Sequence, residues 1–325
     1  MLRDYGLAKT TLKEVRKLLP GNSEVLGALG AVTRREGDWE ESVAYLEQAL
    51  ALDPRNTELL DTAAWTFIML RQFPAALKLY DRALDIIPND PDLMAVKATI
   101  YQAQGNLPEA AKLLAQANAQ TSSENAFFQK MVQLRLERNL GEAVRLLRAR
   151  LTQFHFASEI DKGSVQVWLA FTQRLAGETS GAKATAEQAR NTLKPLCKDQ
   201  PDNSYLAGVL SWAYAVLGEK DSALKEAERA MMLLPSTKDR VFGPAYEQNL
   251  ALNQMIFGET SRPISTLIQL SQTRYCGLLY FTPVTPALLR LDPIWDPLRA
   301  DPAFQKLRKS RVEAIANKLL GATRG

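Results

Sequence analysis

"GDWEESVAYLEQALALDP", residues 37–54, carries a pattern that returns at a fixed spacing of 34 residues. "RQFPAALKLYDRALDIIP" occupies 71–88, and "GNLPEAAKLLAQANAQTS" begins at 105. Small residues recur at Ser42, Ala76 and Ala110, and again at Ala49, Ala83 and Ala117. Large apolar residues recur at Trp39, Phe73 and Leu107, and at Leu46, Tyr80 and Leu114, while Pro54 and Pro88 close two of the units. A small residue lets two helices approach closely, a large one fills the space between them, and a proline stops a helix because it offers no N–H to the ladder. The spacing therefore predicts an all-α chain of antiparallel helix pairs. Asp38 and Asn106 are placed to cap second helices, and Asp90 followed by Pro91 to cap a first one.

This pattern resembles the tetratricopeptide repeat. Units then start at Ser23, Thr57 and Pro91, with Gly30, Ala64 and Ala98 at the small position 8. Position 11 holds Thr33, Phe67 and Tyr101, so the first unit departs from the aromatic found there in the family. The resemblance implies a right-handed α-solenoid of about seven stacked helix pairs plus a terminal half.

The half lies at the start. Stepping back one period from Ser42, Leu46, Ala49 and Pro54 lands on Ala8, Leu12, Val15 and Pro20. Residues 1–20 read as the second helix of a unit whose first helix is missing. The expectation is a piece of a longer protein, with a misplaced start or an oligomeric terminus as alternatives. An exposed half repeat is also a surface for self-association.

Three regions are expected. Regular repeats, beginning with the half repeat, fill 1–122. Degenerate units of longer period fill 123–290, with small-position residues at Ala143, Ala182 and Ala223 and Pro263 in the last slot. The extra residues lie in "QFHFASEIDKGS", "NTLKPLCKDQPDN" and "STKDRVFGPAYEQ", and "QTSSEN" (120–125) is expected to act as a mild hinge. A capping segment and basic tail fill 291–325. There, three Asp-Pro pairs (Asp292-Pro293, Asp296-Pro297, Asp301-Pro302) predict short helical turns. Trp295, Leu298, Phe304 and Leu307 are expected to fold back over the last pair.

Composition narrows function. The net charge of +4 comes from the end of the chain, since 303–325 holds six basic residues against Glu313 alone. A nucleic-acid binder carries its charge as a stripe on the folded body, so no nucleic-acid partner is expected. No apolar run reaches the length of a membrane span, and no signal-peptide core opens the chain, so a cytoplasmic, non-inserted protein is expected. A parent membrane protein would allow the periplasmic side. One histidine (His155) and two distant cysteines (Cys197, Cys276) fit no metal or redox spacing. No enzyme, cofactor or metal is expected. Cys276 in "TRYCGLLYF" reads as a buried thiol.

The repeat and the "LDPIWDPLRADPAF" tail are together similar to the C-terminal repeat regions of large bacterial signalling proteins. In those the repeats follow a serine/threonine kinase, a nucleotide cyclase or a DNA-binding regulator. The resemblance implies a non-catalytic module that binds a peptide, a protein or a neighbouring domain of its parent chain. A small-molecule-sensing domain is the alternative. In the repeat family the concave groove is lined by positions 2, 5, 9, 12 and 13 of the first helices. Here those positions give a candidate groove of Arg34, Arg35, Trp65, Ile68, Met69, Gln102, Arg135, Phe171, Arg174 and Trp212. Asp92, Thr99 and Met255 are further members. Its aromatics and arginines suit a peptide with apolar and acidic residues. For Trp65 and Trp212 the alternative is packing against the next helix, and for the arginines a solvated face. The Lys and Asn of the chaperone-tail carboxylate clamp are absent, with Gly27 and Ala31 in their places.

Overall fold

Most of the helices begin on an Asn, Asp or Ser whose side chain accepts a backbone N–H from the first turn. Asn22 takes that of Val25 at 2.9 Å, Asp38 that of Glu41 at 3.1 Å and Asn56 that of Leu59 at 3.1 Å. Asp90 takes two, from Asp92 and Leu93. Each such cap stabilises its helix by about 1 kcal/mol. Asn106 differs from expectation: it heads its helix, but its side chain accepts no bond there.

The computed structural model describes residues 4–309, and within them every regular element is helical. Helix α1 (Tyr5–Leu18) stands alone at the start. Seven antiparallel pairs follow: α2 (Ser23–Glu36) with α3 (Trp39–Leu52), α4 (Thr57–Met69) with α5 (Phe73–Ile86), and α6 (Pro91–Gln104) with α7 (Leu107–Leu113). Then come α8 (Glu124–Leu136) with α9 (Leu140–Gln153) and α10 (Glu159–Leu175) with α11 (Thr179–Asp199). The last two are α12 (Ser204–Leu217) with α13 (Lys220–Leu233) and α14 (Gly243–Ile256) with α15 (Ser261–Gln272). The chain ends in α16 (Pro286–Leu291), a 3₁₀ turn (Pro293–Leu298) and α17 (Pro302–Lys309). Among the described residues this is a helical-repeat solenoid of seven pairs preceded by the single helix α1. Arg311, Lys318 and Arg324 of the basic tail lie outside the described residues.

The small positions work as the periodicity demands. Ser42 Oγ donates to the Gly30 carbonyl at 2.7 Å, and a Cβ added at Gly30 would sit 2.7 Å from Leu46 Cγ. Ala64, Ala76, Ala98 and Ala110 are fully buried at the equivalent crossings. Leu12 of α1 packs on the Leu26–Leu29 cluster of the first pair, whereas Leu7 and Leu18 on its other side are 64% and 81% exposed.

The insertions of the second half go to different uses. One lengthens α11 to 21 residues, running through Pro195. The expected hinge at 120–125 is instead pinned. Arg150, buried between the rings of Phe127 and Phe154, donates to the carbonyls of Ala119 and Thr121. Cation–π contact and two backbone acceptors replace the solvation that the guanidinium gives up. Of the three Asp-Pro pairs, Asp292 and Asp301 do cap their turns. Asp296 does not cap, because its carboxylate takes Arg138 and Arg299 instead. Trp295, Leu298 and Phe304 are fully buried, and Leu307 nearly so.

Candidate functional site

The seven first helices end alike, in a residue with a left-handed backbone that turns the chain into its second helix. Five of these residues are glycines, Gly37, Gly105, Gly177, Gly218 and Gly258, with φ between 80° and 96°. The other two are arginines, Arg71 at φ 58° and Arg138 at φ 59°. An L-residue with a Cβ pays about 1 kcal/mol for that conformation, whereas glycine pays nothing for it.

Both exceptions reach across to the C-terminal part of the chain. The Arg71 guanidinium donates to the Thr273 carbonyl at 2.7 Å and the Leu270 carbonyl at 3.0 Å, with Val284 O at 3.5 Å. Leu270 and Thr273 stand at the C-terminal end of α15, where carbonyls lack helical partners and the helix dipole favours a cation. Burial lowers the Arg71 pKa to about 10, so the group stays charged at neutral pH. Arg138 forms a two-pronged pair with Asp296, both bonds 2.8 Å. The glycine turns of the other early repeats are approached just as closely. A Cβ at Gly37 would lie 2.8 Å from Arg240, and one at Gly105 would lie 3.3 Å from Ala287. Gly177, Gly218 and Gly258 have nothing near them.

These contacts trace one path. The chain comes back to the first pair at Arg240 and Cys276, passes the second at Thr273–Val284, the third at Thr285–Leu291 and the fourth at Asp292–Asp296. Arg240 N–H donates to the Arg35 carbonyl at 2.8 Å, and Thr285 Oγ1 donates to the Ala103 carbonyl at 2.7 Å. The segment 274–298 thus runs along the C-terminal ends of the first helices of the first four pairs.

A buried carboxylate anchors each end of this run. Asp239 Oδ2 accepts from Tyr5 Oη at 2.6 Å and Arg35 at 2.9 Å, and its Oδ1 accepts the backbone N–H groups of Val241 and Phe242. Asp292 accepts from Arg135 Nε at 3.0 and 3.2 Å, from Tyr280 Oη at 2.8 Å and from the Ile294 N–H at 2.9 Å. The Arg135 guanidinium lies over the rings of Trp168 and Tyr280, and Trp295 Nε1 donates to Tyr280 Oη. Both nodes join an Asp, an Arg, a Tyr and backbone donors, which supplies the hydrogen bonds a buried charge needs. The Tyr280 hydroxyl is pushed well above its ordinary pKa by burial and by the adjoining Asp292.

The ten residues expected to line a groove divide into two groups by the contacts they make. Arg35, Trp65, Met69 and Arg135 meet the returning chain. Trp65 stands edge-on to Phe281 with ring centres 6.3 Å apart, and Met69 is sealed against Val241 and Cys276. The other six serve contacts between neighbouring helices. Arg34 donates to Thr62 O and Thr66 Oγ1, and burial, with Arg35 beside it, lowers its pKa to about 10. Gln102 bonds the Gln129 carbonyl and the Gln133 side chain. Ile68 lies in the core of the second pair. Phe171 packs on Trp212, whose indole N–H bonds Asn249, and Arg174 reaches the Ala215 carbonyl from an exposed position. Sequence reasoning missed Arg71, Arg138 and Asp239, and gave Asp292 its cap but not its bond to Arg135. The first carried a signal, because the period places Arg71 where Gly37 and Gly105 stand.

Residues 21–89 and 67–129 match two family models, each described as tetratricopeptide repeat. Cellulose synthase operon protein C of Escherichia coli (strain K12) is 34% identical over 93 residues, 27% of this chain. That match spans 8% of the relative's own length. Among solved structures, a tetratricopeptide repeat protein from Parabacteroides merdae ATCC 43184 aligns with a TM-score of 0.55 at 18% identity, covering 77% of this chain and 93% of that one. The APC/C hetero-tetramer Cut9–Hcn1 aligns with a TM-score of 0.50 at 12% identity, over 72% of this chain and 44% of that one. These structures share the fold. Residues 21–129 carry tetratricopeptide repeats, the architecture of protein–protein interaction modules.

Proposed function

We propose that the protein is a non-catalytic interaction module whose concave groove holds its own C-terminal segment, so that a protein partner docks on surface the segment leaves open. The observation that carries this reading is the run of contacts from Arg35–Asp239 to Arg138–Asp296. It occupies the inner face that an extended peptide takes in an open array. Buried ion pairs and a buried aromatic cluster make the occupant part of the core, so displacing it would cost far more than a single peptide's binding energy returns. The thiols give no support to nucleophilic chemistry. Burial raises Cys276 to about 12 and Cys197 to about 11, so at neutral pH neither is a thiolate. A regulatory position beside an effector domain of a bacterial signalling protein belongs to the same proposal. The likeness of the repeats and of the "LDPIWDPLRADPAF" tail to such regions motivates it.

Photo-crosslinking in cells tests the reading. A photoreactive residue at Leu52, on the exposed edge of α3, or at Arg274 is expected to give adducts with a second protein. One at Trp65 is expected to give only links to residues near Phe281. Intermolecular adducts at Trp65 with none at the outer positions would overturn it.

A further inference from the structure

Where the first pair meets the last, the two ends of the array leave a polar cleft of about 550 Å³. Glu36 and Trp39 of the first pair line it, with Arg240 and Glu247 at the start of the last pair and Gln272 and Arg274 at its end. Three stretches far apart in sequence build it, and it opens to solvent beside the occupied groove.

Its charges are unevenly committed. Glu36 is paired with Lys9 at 2.9 Å, and the Glu247 carboxylate accepts the Ser236 hydroxyl. Arg240 and Arg274 have no acidic partner among the described residues. Arg71 lies close enough to feel the Arg274 charge, and its own guanidinium is held by carbonyls alone. Arg240 is also positioned. Its stem lies against Gly37, and its N–H is tied to the Arg35 carbonyl. With Glu36 paired to Lys9 and Glu247 bonded only to a hydroxyl, the cleft holds two arginines against one uncompensated carboxylate, a net positive charge that favours an added anion. Gln269, Gln272 and Trp39 also line the cleft, and the two amides can bond a peptide backbone.

We propose that this seam cleft binds an acidic segment of a protein partner, with a side-chain carboxylate held between Arg240 and Arg274. The inference rests on the interaction-module reading and deepens it by naming the partner's chemistry. It also gives the closed array a consequence. A ligand in the cleft touches the first and last pairs together, so it stabilises the closed form by mass action.

The test uses the full chain, basic tail included, and a fluorescein-labelled penta-glutamate peptide, with penta-glutamine as the uncharged probe. Saturable binding of penta-glutamate is expected. Arg240→Glu with Arg274→Glu is expected to weaken it by about tenfold or more, since charge-assisted pairs are the strong contacts here. The charge-matched pair Arg55→Glu with Lys78→Glu, on the outer surface, is expected to change it by less than about twofold. Arg274→Gln alone makes the comparison without disturbing the Gly37 contact and is expected to lower affinity while the melting temperature holds. Equal losses in the two double variants, full binding in Arg274→Gln, or equal binding of penta-glutamine would each overturn the proposal. If partner crosslinks form at Leu52 while penta-glutamate fails to bind, the seam site falls and the module reading stands. Peptide binding without any partner crosslink does the reverse.

Discussion

Arg71→Gly sets backbone strain against side-chain clamping in one substitution. Glycine removes the cost of a left-handed L-residue, about 1 kcal/mol. It also removes the guanidinium that donates at 2.7 and 3.0 Å to carbonyls at the end of α15. Two hydrogen bonds from a charged donor, offset by the cost of taking the guanidinium out of water, contribute about 3 kcal/mol. The net expectation is a loss of about 2 kcal/mol. Arg138→Gly removes the same strain but only a half-exposed pair with Asp296. Such a pair contributes at most about 1 kcal/mol, so that variant should be close to neutral. Urea unfolding followed by circular dichroism gives the stabilities. Hydrogen exchange over 270–298 locates the change, which matters because a stacked array need not unfold in one step. An Arg71→Gly protein as stable as the wild type, or equal shifts in the two variants, would refute the idea that Arg71 bears its strain to hold the returning chain.

Asp292→Ala leaves Arg135 buried without its carboxylate and should cost about 3–5 kcal/mol in the same assay. Adding Arg135→Met should recover part of that loss, and a further additive loss would contradict the pairing. Cys276, raised to about 12 by burial against the first two pairs, should resist a thiol reagent at pH 8 in the folded chain. It should react readily in Arg71→Gly if the clamp opens the segment. Burial pushes the Asp296 carboxyl up, but hydrogen bonds from Arg138 and Arg299 outweigh it and leave the pKa below the ordinary value. A depressed carboxyl stabilises above its unfolded pKa and loses that contribution as pH falls, so exchange at 292–299 should rise below about pH 4. Asp296→Asn should flatten that rise.

The periodicity made the helix pairs legible because it encodes local facts: where helices cross, where they are capped and where they stop. Gly30, Ser42 and Asp38 act within one unit, and their roles follow from spacing alone. The occupied groove follows from no such rule. Register assigns Arg35 and Arg135 to the inner face, but what meets them is 204 and 157 residues away. "STKDRVFGPAYEQ" looks like a loop insertion in one dimension. In three it supplies Asp239 and Arg240, which close the array on its first pair. The irregular tail was read as a cap on the last pair because its apolar residues need cover. Those apolar residues do pack with Ile264, Leu267 and Leu270 of the last pair, while Thr285 and Asp292 reach back to the third and fourth pairs. The legible clue was the arginine at 71 in the slot that Gly37 and Gly105 fill in the neighbouring units.

The central claim is that the C-terminal segment lies in the groove of its own chain, and a distance measurement tests it directly. Gln104, at the end of α6, and Arg290, on α16, are both exposed and suit paired spin labels. A Cβ at Gly105, next to Gln104, would lie 3.5 Å from the Arg290 guanidinium. The account predicts strong dipolar broadening in dilute full-length protein, with the two labels in adjoining elements, unchanged when labelled chains are mixed with excess unlabelled chain. Labels separated by several times the roughly 10 Å spacing of packed helices would contradict it, as would broadening that disappears on dilution with unlabelled protein.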